Sequence, residues 1–251
     1  ALLTDLKWLG LDWEEPVLDQ STRFAVYQAA LDRLQGEGLL YPCFCTRSDI
    51  QRAGGAPQGD HGPHYPGTCR TLPAVLRAEK LARGDPHALR LDAGAAWQRV
   101  VSPLRWHDAA QGEQEVERSQ LDDVVLARTG RGLMPAPTTI LAPTPTLPHQ
   151  EAGEGAGRRL LPASYHLCVT VDDAAQGVTL VTRGEDLFDS TPIHRLLQHL
   201  LDLPVPAYHH HPLLCDAAGK RLAKRDNAPA LRDLRAAGVT PAQIIASFAH
   251  L

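Results

Sequence analysis

Ser164-Tyr165-His166-Leu167-Cys168-Val169-Thr170-Val171, followed by Asp172-Asp173, then Gly177-Val178-Thr179-Leu180-Val181-Thr182-Arg183 and Ser190-Thr191-Pro192, is the stretch from which the fold class is read. Tyr165 to Val171 is β-branched and apolar, which predicts a mostly buried strand; Asp172-Asp173 opens a short link, and Gly177 to Arg183 reads as the next strand. Ser190 or Thr191, with Pro192 at the first helical position, starts a helix that carries Ile193, Leu196, Leu197 and Leu200 on one face. Strand, short link, strand and amphipathic helix together predict an α/β protein with helices packed on a sheet.

Upstream, three of the five cysteines fall within one short segment: Tyr41-Pro42-Cys43-Phe44-Cys45-Thr46-Arg47, a Gly-rich span, and His64-Tyr65-Pro66-Gly67-Thr68-Cys69-Arg70. A Cys-x-Cys pair, a third cysteine and a nearby O or N donor can close a tetrahedral Zn²⁺ site. Ala53 to Pro63 holds little but Gly, Pro, Ala and polar residues, so a clip at its ends is what would order it. Tyr65, His61 and His64 are the candidates for the fourth donor. Buried free thiols are the bland alternative. Cys168 and Cys215, alone in apolar settings, read as core.

The chain of 251 residues is 43% hydrophobic, enough for a sizeable core in one domain or two. It has no apolar run long enough to span a bilayer and no signal-peptide pattern, which predicts a cytoplasmic protein without a membrane partner. An odd number of cysteines, clustered for metal, argues for a reducing compartment. Lys+Arg 25 against Asp+Glu 29 gives a net charge of −4, so a nucleic-acid partner would need a local basic face. Asp19 or Ser21 is placed to cap a helix with Phe24, Tyr27, Leu31 and Leu34 on one side and Gly36 or Gly38 as its stop. Leu72 to Arg83 reads as helix, Ala88 to Val101 as strand-like, and Glu113 to Arg128 as mixed. Leu133 to Gly157, dense in Pro, Gly and Thr, reads as a surface insertion. Near the end, Pro229 to Ala237 is a short helix stopped by Gly238, and Thr240 to Gln243 is a capping box opening the last helix.

Ahead of them lies Gly219-Lys220-Arg221-Leu222-Ala223-Lys224-Arg225, four basic residues in six after a glycine turn. Such a run can clamp a triphosphate by charge; a solvated basic loop is the ordinary reading of the same residues.

Tyr41 to Arg47 and Tyr65 to Arg70 resemble the zinc-binding insertion of the glutamyl-queuosine tRNA(Asp) synthetase family, shortened relatives of glutamyl-tRNA synthetase. The resemblance implies Cys43, Cys45, Tyr65 and Cys69 as ligands of one structural Zn²⁺. Ser164 to Leu167, Val171 to Asp173 and Arg183 to Leu187 resemble the second half of a Rossmann-type class I synthetase catalytic domain. That likeness implies that Arg183 holds the side-chain carboxylate of L-glutamate and that Tyr165 lines the same pocket. Arg221 to Arg225 is similar to the Lys-Met-Ser-Lys-Ser loop of class I synthetases, with arginine and alanine where lysine and serine are usual. By that similarity Lys224 is catalytic, contacting ATP phosphates together with Arg221 and Arg225, with Mg²⁺ accompanying the nucleotide.

The implied layout is residues 1–40 as the remainder of the N-terminal half of the catalytic domain and 41–130 as a zinc-containing, acceptor-binding-like insertion. Residues 131–160 follow as the Pro/Gly-rich surface insertion, 161–226 as the second catalytic half with its basic loop, and 227–251 as a helical C-terminal region. The implied reaction is ATP-dependent activation of glutamate and its transfer to queuosine in the anticodon of tRNA(Asp), by a monomer. The family's His-Ile-Gly-His-like motif does not occur in the chain, so the expectation is an N-terminally incomplete chain, inactive as it stands. A non-catalytic paralogue that binds tRNA or a protein, and a fragment of a glutamyl-tRNA synthetase, are the alternatives.

Overall fold

Residues 2–54, 64–129, 161–215, 222 and 230–247 are described by the computed structural model. The strands are β1 (Leu40–Cys43), β2 (Ala88–Leu91), β3 (Arg105–Asp108), β4 (Gly112–Glu115), β5 (Val125–Arg128), β6 (Leu180–Gly184) and β7 (Ala207–His211). The helices that position the site are α1 (Leu2–Trp8), α2 (Phe24–Gly36), α3 (Arg47–Gly54), α4 (Ala74–Ala82), α5 (Ala93–Trp97), α6 (Tyr165–Ala175) and α7 (Thr191–Leu200). They are followed by α8 (Leu231–Ala236) and α9 (Pro241–Ser247). No helix among the described residues is long and apolar enough to cross a membrane.

Two sheets organise the chain. An antiparallel sheet runs β1-β2-β5, with Leu40 opposite Leu91 and Cys43 opposite Ala88. A mixed sheet runs β4-β3-β7-β6, in which β3, β7 and β6 are parallel and β4 is an antiparallel edge. The step from β6 through α7 to β7 is a βαβ unit, the helix supplying the crossover that parallel neighbours require. Strands β3 and β4 lie within residues 41–130 by sequence, yet they hydrogen-bond into the sheet completed by β6 and β7.

One hydrophobic core joins the two sheets through α2, α5, α6 and α7, centred on Leu31, Leu91, Leu126, Leu167, Leu196 and Leu197. The α2 stripe falls where its spacing predicts, with Tyr27, Leu31 and Leu34 buried. It ends in a Schellman turn: Leu39 N donates to Leu34 O and Gly38 N to Gln35 O, with Gly38 at φ 73°. The turn delivers the chain straight into β1. At the other end of the protein, the Thr240 and Gln243 capping box forms as expected.

Two sequence expectations are corrected. Tyr165 to Val171 is helix, not strand. Leu167, Cys168 and Val171 are buried at helical spacing, and Thr170 satisfies its hydroxyl on His166 O one turn back, at 2.8 Å. A short apolar run fits either element, and packing between α2 and α7 decides it. Ala88 to Val101 is strand only as far as Leu91, because Asp92 accepts from Ala95 N at 2.9 Å and caps α5.

Asp172 ties the helices together. It accepts from Gln20 Nε2 at 2.9 Å, Arg23 Nε at 2.7 Å and the Tyr27 hydroxyl at 2.7 Å. The Arg23 and Asp172 side chains are 13% and 5% exposed. Asp172→Ala strands a buried guanidinium, and the expected loss is about 3 kcal/mol, read as a lower urea midpoint. A midpoint within experimental error of the wild type would refute this role.

Candidate functional site

The first candidate site forms where β1 runs out. Cys43 is its last residue, and Thr46 and Asp49 exchange hydrogen bonds that turn the chain into α3, setting Cys45 beside Cys43. Opposite them, Tyr65 to Cys69 makes a turn around Gly67, at φ 77°, closed by Arg70 N donating to Gly67 O at 2.9 Å. A Cβ at Gly67 would lie 2.9 Å from the Arg70 guanidinium, which favours glycine a second way.

The Sγ atoms of Cys43, Cys45 and Cys69 all lie within 4.8 Å of one another. Cys45 and Cys69 sulfurs are 3.5 Å apart, and the Tyr65 hydroxyl is 3.3 Å from Cys43 Sγ and 3.6 Å from Cys45 Sγ. A tetrahedral zinc centre has edges of about 3.8 Å between sulfurs and about 3.5 Å from sulfur to oxygen. The donor set therefore fits a small metal ion. Tyr65 faces the sulfurs, whereas the His64 ring is 66% exposed and turned to Asp122 at 3.5 Å. His61 lies outside the described residues. Burial pushes the Cys45 thiol up to about 12. Burial opposes ionisation of Cys69 too, but hydrogen bonds from the Tyr65 hydroxyl and the Phe44 amide outweigh it and hold that thiol below its ordinary value.

Carboxylates from the loop before β5 tie this segment to the sheet. Tyr65 N donates to Asp122 at 3.0 Å, and Asp123 accepts from Arg70 at 2.9 Å, from Ala93 N at 2.9 Å and from the Tyr41 hydroxyl. Arg90 stacks on the Tyr65 ring at 3.9 Å.

The second site lies at the carboxyl ends of the parallel strands, where α/β sheets bind ligands. Asp108 closes β3, Arg183 stands one residue from the end of β6, and His210 is its partner on β7. The starts of α6 and α7 add Tyr165, His166, Thr191 and His194. Arg183 donates from Nε to His210 Nε2 at 3.0 Å, from Nη1 to His194 Nδ1 at 3.1 Å and from Nη2 to Thr191 Oγ1 at 2.6 Å. His194 Nε2 in turn meets His166 Nδ1 at 3.0 Å, and His210 Nδ1 meets Asp108 Oδ2 at 2.6 Å. Tyr165 is 48% exposed, its ring edge-on to His194. Chemically, this is a guanidinium fixed by uncharged hydrogen-bond acceptors, with the Asp173 carboxylate near enough to act on it electrostatically, and it is suited to a carboxylate.

Of the residues singled out from sequence, Arg183 and Tyr165 meet here, and Cys43, Cys45, Tyr65 and Cys69 meet at the first site. Lys224, Arg221 and Arg225, and the 133–157 segment, lie outside the described residues. Cys168 is buried as expected, but Cys215 is exposed, since it follows β7 on a segment that leaves the core. Sequence reading missed Asp108, Thr191, His194 and His210. The signal was present in Tyr208 to His211: on a strand every second residue faces inward, so Tyr208 and His210 are buried while His211 is exposed.

Burial lowers both His194 and His210 from the ordinary 6.5; Arg183 adds to the effect at each, and the Asp108 carboxylate opposes it at His210 without cancelling it. A lowered histidine pKa means that the unfolded chain binds protons the folded chain refuses. Stability is thus full above about 6.5 and is lost as pH falls through that value. Asp173, pushed up to about 6 by burial, acts in the opposite sense between its ordinary value and 6. Between pH about 7.5 and 6 the two neutral rings cost up to about 1.5 kcal/mol of stability, of which Asp173, half protonated at about 6, returns about 0.4. A urea midpoint that does not fall over this interval would contradict the assignment.

Comparison with known proteins identifies the family. The family model described as "tRNA synthetases class I (E and Q), catalytic domain" matches residues 1–135 and 156–251. A glutamyl-Q tRNA(Asp) synthetase of Rhodobacter capsulatus is 44% identical, over 97% of this chain and 78% of the relative. One of Nocardia farcinica is 45% identical, over 97% of this chain and 66% of the relative. A glutamate–tRNA ligase of Citrifermentans bemidjiense is 30% identical over 98% of this chain, which spans 44% of that ligase. In architecture, the glutamate–tRNA synthetase of Elizabethkingia anophelis aligns over 90% of this chain and 42% of its own, with a TM-score of 0.61 at 20% identity. That last likeness is one of fold.

Proposed function

The chain belongs to the glutamyl-Q tRNA(Asp) synthetases, ligases of the class I tRNA synthetase (E and Q) family, and on that premise we propose that it activates L-glutamate with ATP and transfers the glutamyl group to queuosine in the anticodon of tRNA(Asp). The observation that carries the reading is Arg183, a guanidinium oriented by His210, His194 and Thr191 at the carboxyl end of the parallel strands.

In this reading Arg183 binds the side-chain carboxylate of glutamate through a charge-assisted pair, and Tyr165 walls the pocket. The α-carboxylate is then directed at the α-phosphorus of ATP, and pyrophosphate leaves. Lys224, with Arg221 and Arg225, offsets the charge that develops on the departing phosphates, which Mg²⁺ accompanies. A queuosine hydroxyl next attacks the glutamyl carbonyl and AMP departs.

Cys43, Cys45, Cys69 and Tyr65 would hold one Zn²⁺. Four protein donors leave no open position for chemistry, so its part is to fasten the two arms of the segment to each other. The residues themselves do the fastening to the sheet, through Asp122 and Asp123.

The test has two stages. Glutamate-dependent exchange of pyrophosphate into ATP, without tRNA, is the expected first result. Transfer of labelled glutamate to queuosine-containing tRNA(Asp), and not to the acceptor end of tRNA(Glu), is the second. Binding of tRNA with no exchange would sink the ligase reading, and charging of tRNA(Glu) would reassign the product.

A further inference from the structure

We infer that Asp108 is a positioning residue for the carboxylate site, holding His210 in the one tautomer that lets Arg183 face a ligand. The inference rests on the reading of Arg183 as the glutamate carboxylate partner and adds a residue to it.

A guanidinium has five N–H donors and no acceptor. The ring nitrogens that meet it, His210 Nε2 at 3.0 Å and His194 Nδ1 at 3.1 Å, must therefore be lone pairs. The His210 proton is left on Nδ1, where it points at Asp108 Oδ2, 2.6 Å away. By the same logic His194 carries its proton on Nε2 and donates it to His166 Nδ1. Two hydrogen-bond chains leave Arg183, and the one through His210 ends on a carboxylate.

Asp108 is built to keep that end. Its side chain and that of His210 are both 0% exposed. Oδ1 accepts from Ala110 N at 2.9 Å and Gln111 N at 3.0 Å, while Oδ2 accepts from His210 N at 3.2 Å as well as from the ring. Every neighbour on this list is a donor, and three of the four are backbone amides that cannot reverse. Burial opposes the charge, but these hydrogen bonds, led by that of His210, outweigh it and hold the carboxyl below its ordinary range.

Nε is pinned to His210, and Nη1 and Nη2 each give one N–H to His194 and Thr191. Three of five donors are used among the described residues, which leaves one on each terminal nitrogen. Those two N–H groups are what Arg183 has left to offer a carboxylate. With the proton on His210 Nε2 instead, two N–H groups would confront each other and the guanidinium would turn away.

Asp108→Asn tests this directly. The amide must aim its NH₂ either at the Ala110 and Gln111 amides or at His210. With the NH₂ against His210, the ring is driven to the Nε2–H tautomer. Calorimetric titration of the full chain with L-glutamate should show affinity weakened roughly 10- to 100-fold, taking as the scale what is lost when a carboxylate behind a metal-ligating histidine is removed. Affinity for ATP should not change. Histidine ¹⁵N resonances supply a readout that a merely structural role would not move. The wild type should show His210 as the neutral Nδ1–H form, and the variant as the Nε2–H form.

His210→Asn is the second variant, since it keeps a donor toward Asp108 while removing the acceptor that faces Arg183; it should lose glutamate affinity to a similar degree. Glutamate affinity in Asp108→Asn equal to wild type, or a wild-type His210 protonated on Nε2, overturns the positioning role alone. A wild-type chain that binds ATP but no glutamate overturns the glutamate reading of Arg183, and this role with it.

Discussion

Serine in place of Cys45 is expected to take the zinc content from one ion per chain to none and to open residues 41–70 to protease. The physical reason is the size of the local core. Around the donors, the buried apolar cluster consists of Tyr41, Cys43, Tyr65 and Cys69, so three of its four members are themselves candidate ligands. Four side chains bury too little area to hold two chain arms together, at about 25 cal/mol per Å². A structural zinc contributes on the order of 10 kcal/mol where it is the organising contact. The main core around Leu31, Leu126 and Leu196 is separate, so the loss should be confined to the segment. Metal analysis and limited proteolysis read both effects. A metal-free variant as protease-resistant as the wild type would remove zinc from the account. Tyr65→Phe separates the candidate fourth ligands. It keeps the ring beneath Arg90 and deletes only the hydroxyl, so weakened zinc affinity assigns the tyrosine, and unchanged affinity returns the place to a histidine.

Arg183→Lys is expected to lower kcat/KM for glutamate about 10³-fold, or about 4 kcal/mol. Lysine keeps the charge, so charge alone would predict a mild effect. The geometry predicts a large one, because an ammonium cannot span His210, His194 and Thr191 and still offer two N–H groups to a carboxylate. It also strands buried acceptors: the Thr191 and His210 side chains are almost inaccessible to water, and each unmet group costs about 1–3 kcal/mol. Pyrophosphate exchange at varied glutamate measures the loss, with KM for ATP as the control. A fall of less than tenfold would mean that Arg183 is not the carboxylate partner.

Both sites were partly legible before any fold was known, and for different reasons. The cysteines were legible because soft ligands at short spacing are rare outside metal sites, and Cys43, Cys45 and Cys69 needed only one turn each to converge. Which oxygen or nitrogen joins them was not. Tyr65 and His64 are adjacent in sequence, and it took the Asp122 carboxylate, drawing Tyr65 N to itself, to turn the tyrosine inward and the histidine outward. Arg183 was legible through likeness to a family, while its ring of neutral acceptors was hidden. Asp108 and His210 are 102 residues apart and belong to strands paired only in the folded sheet.

Local rules settled the pieces whose partners lie within a turn or two. The α2 stripe and its glycine stop, the Pro192 start of α7 and the Thr240 capping box all follow from neighbours a few residues away. Tertiary structure alone decided that Tyr165 to Val171 coils rather than extends. It also decided that β3, from the middle of the chain, stands beside β7 from near its end, and that a lone arginine is pinned by two histidines. Those outcomes depend on contacts between distant segments, which local propensity does not contain. Once made, such contacts outweigh propensity, because burying one leucine-sized side chain stabilises by about 1.5–3 kcal/mol while a residue's preference for helix or strand is worth less than about 1.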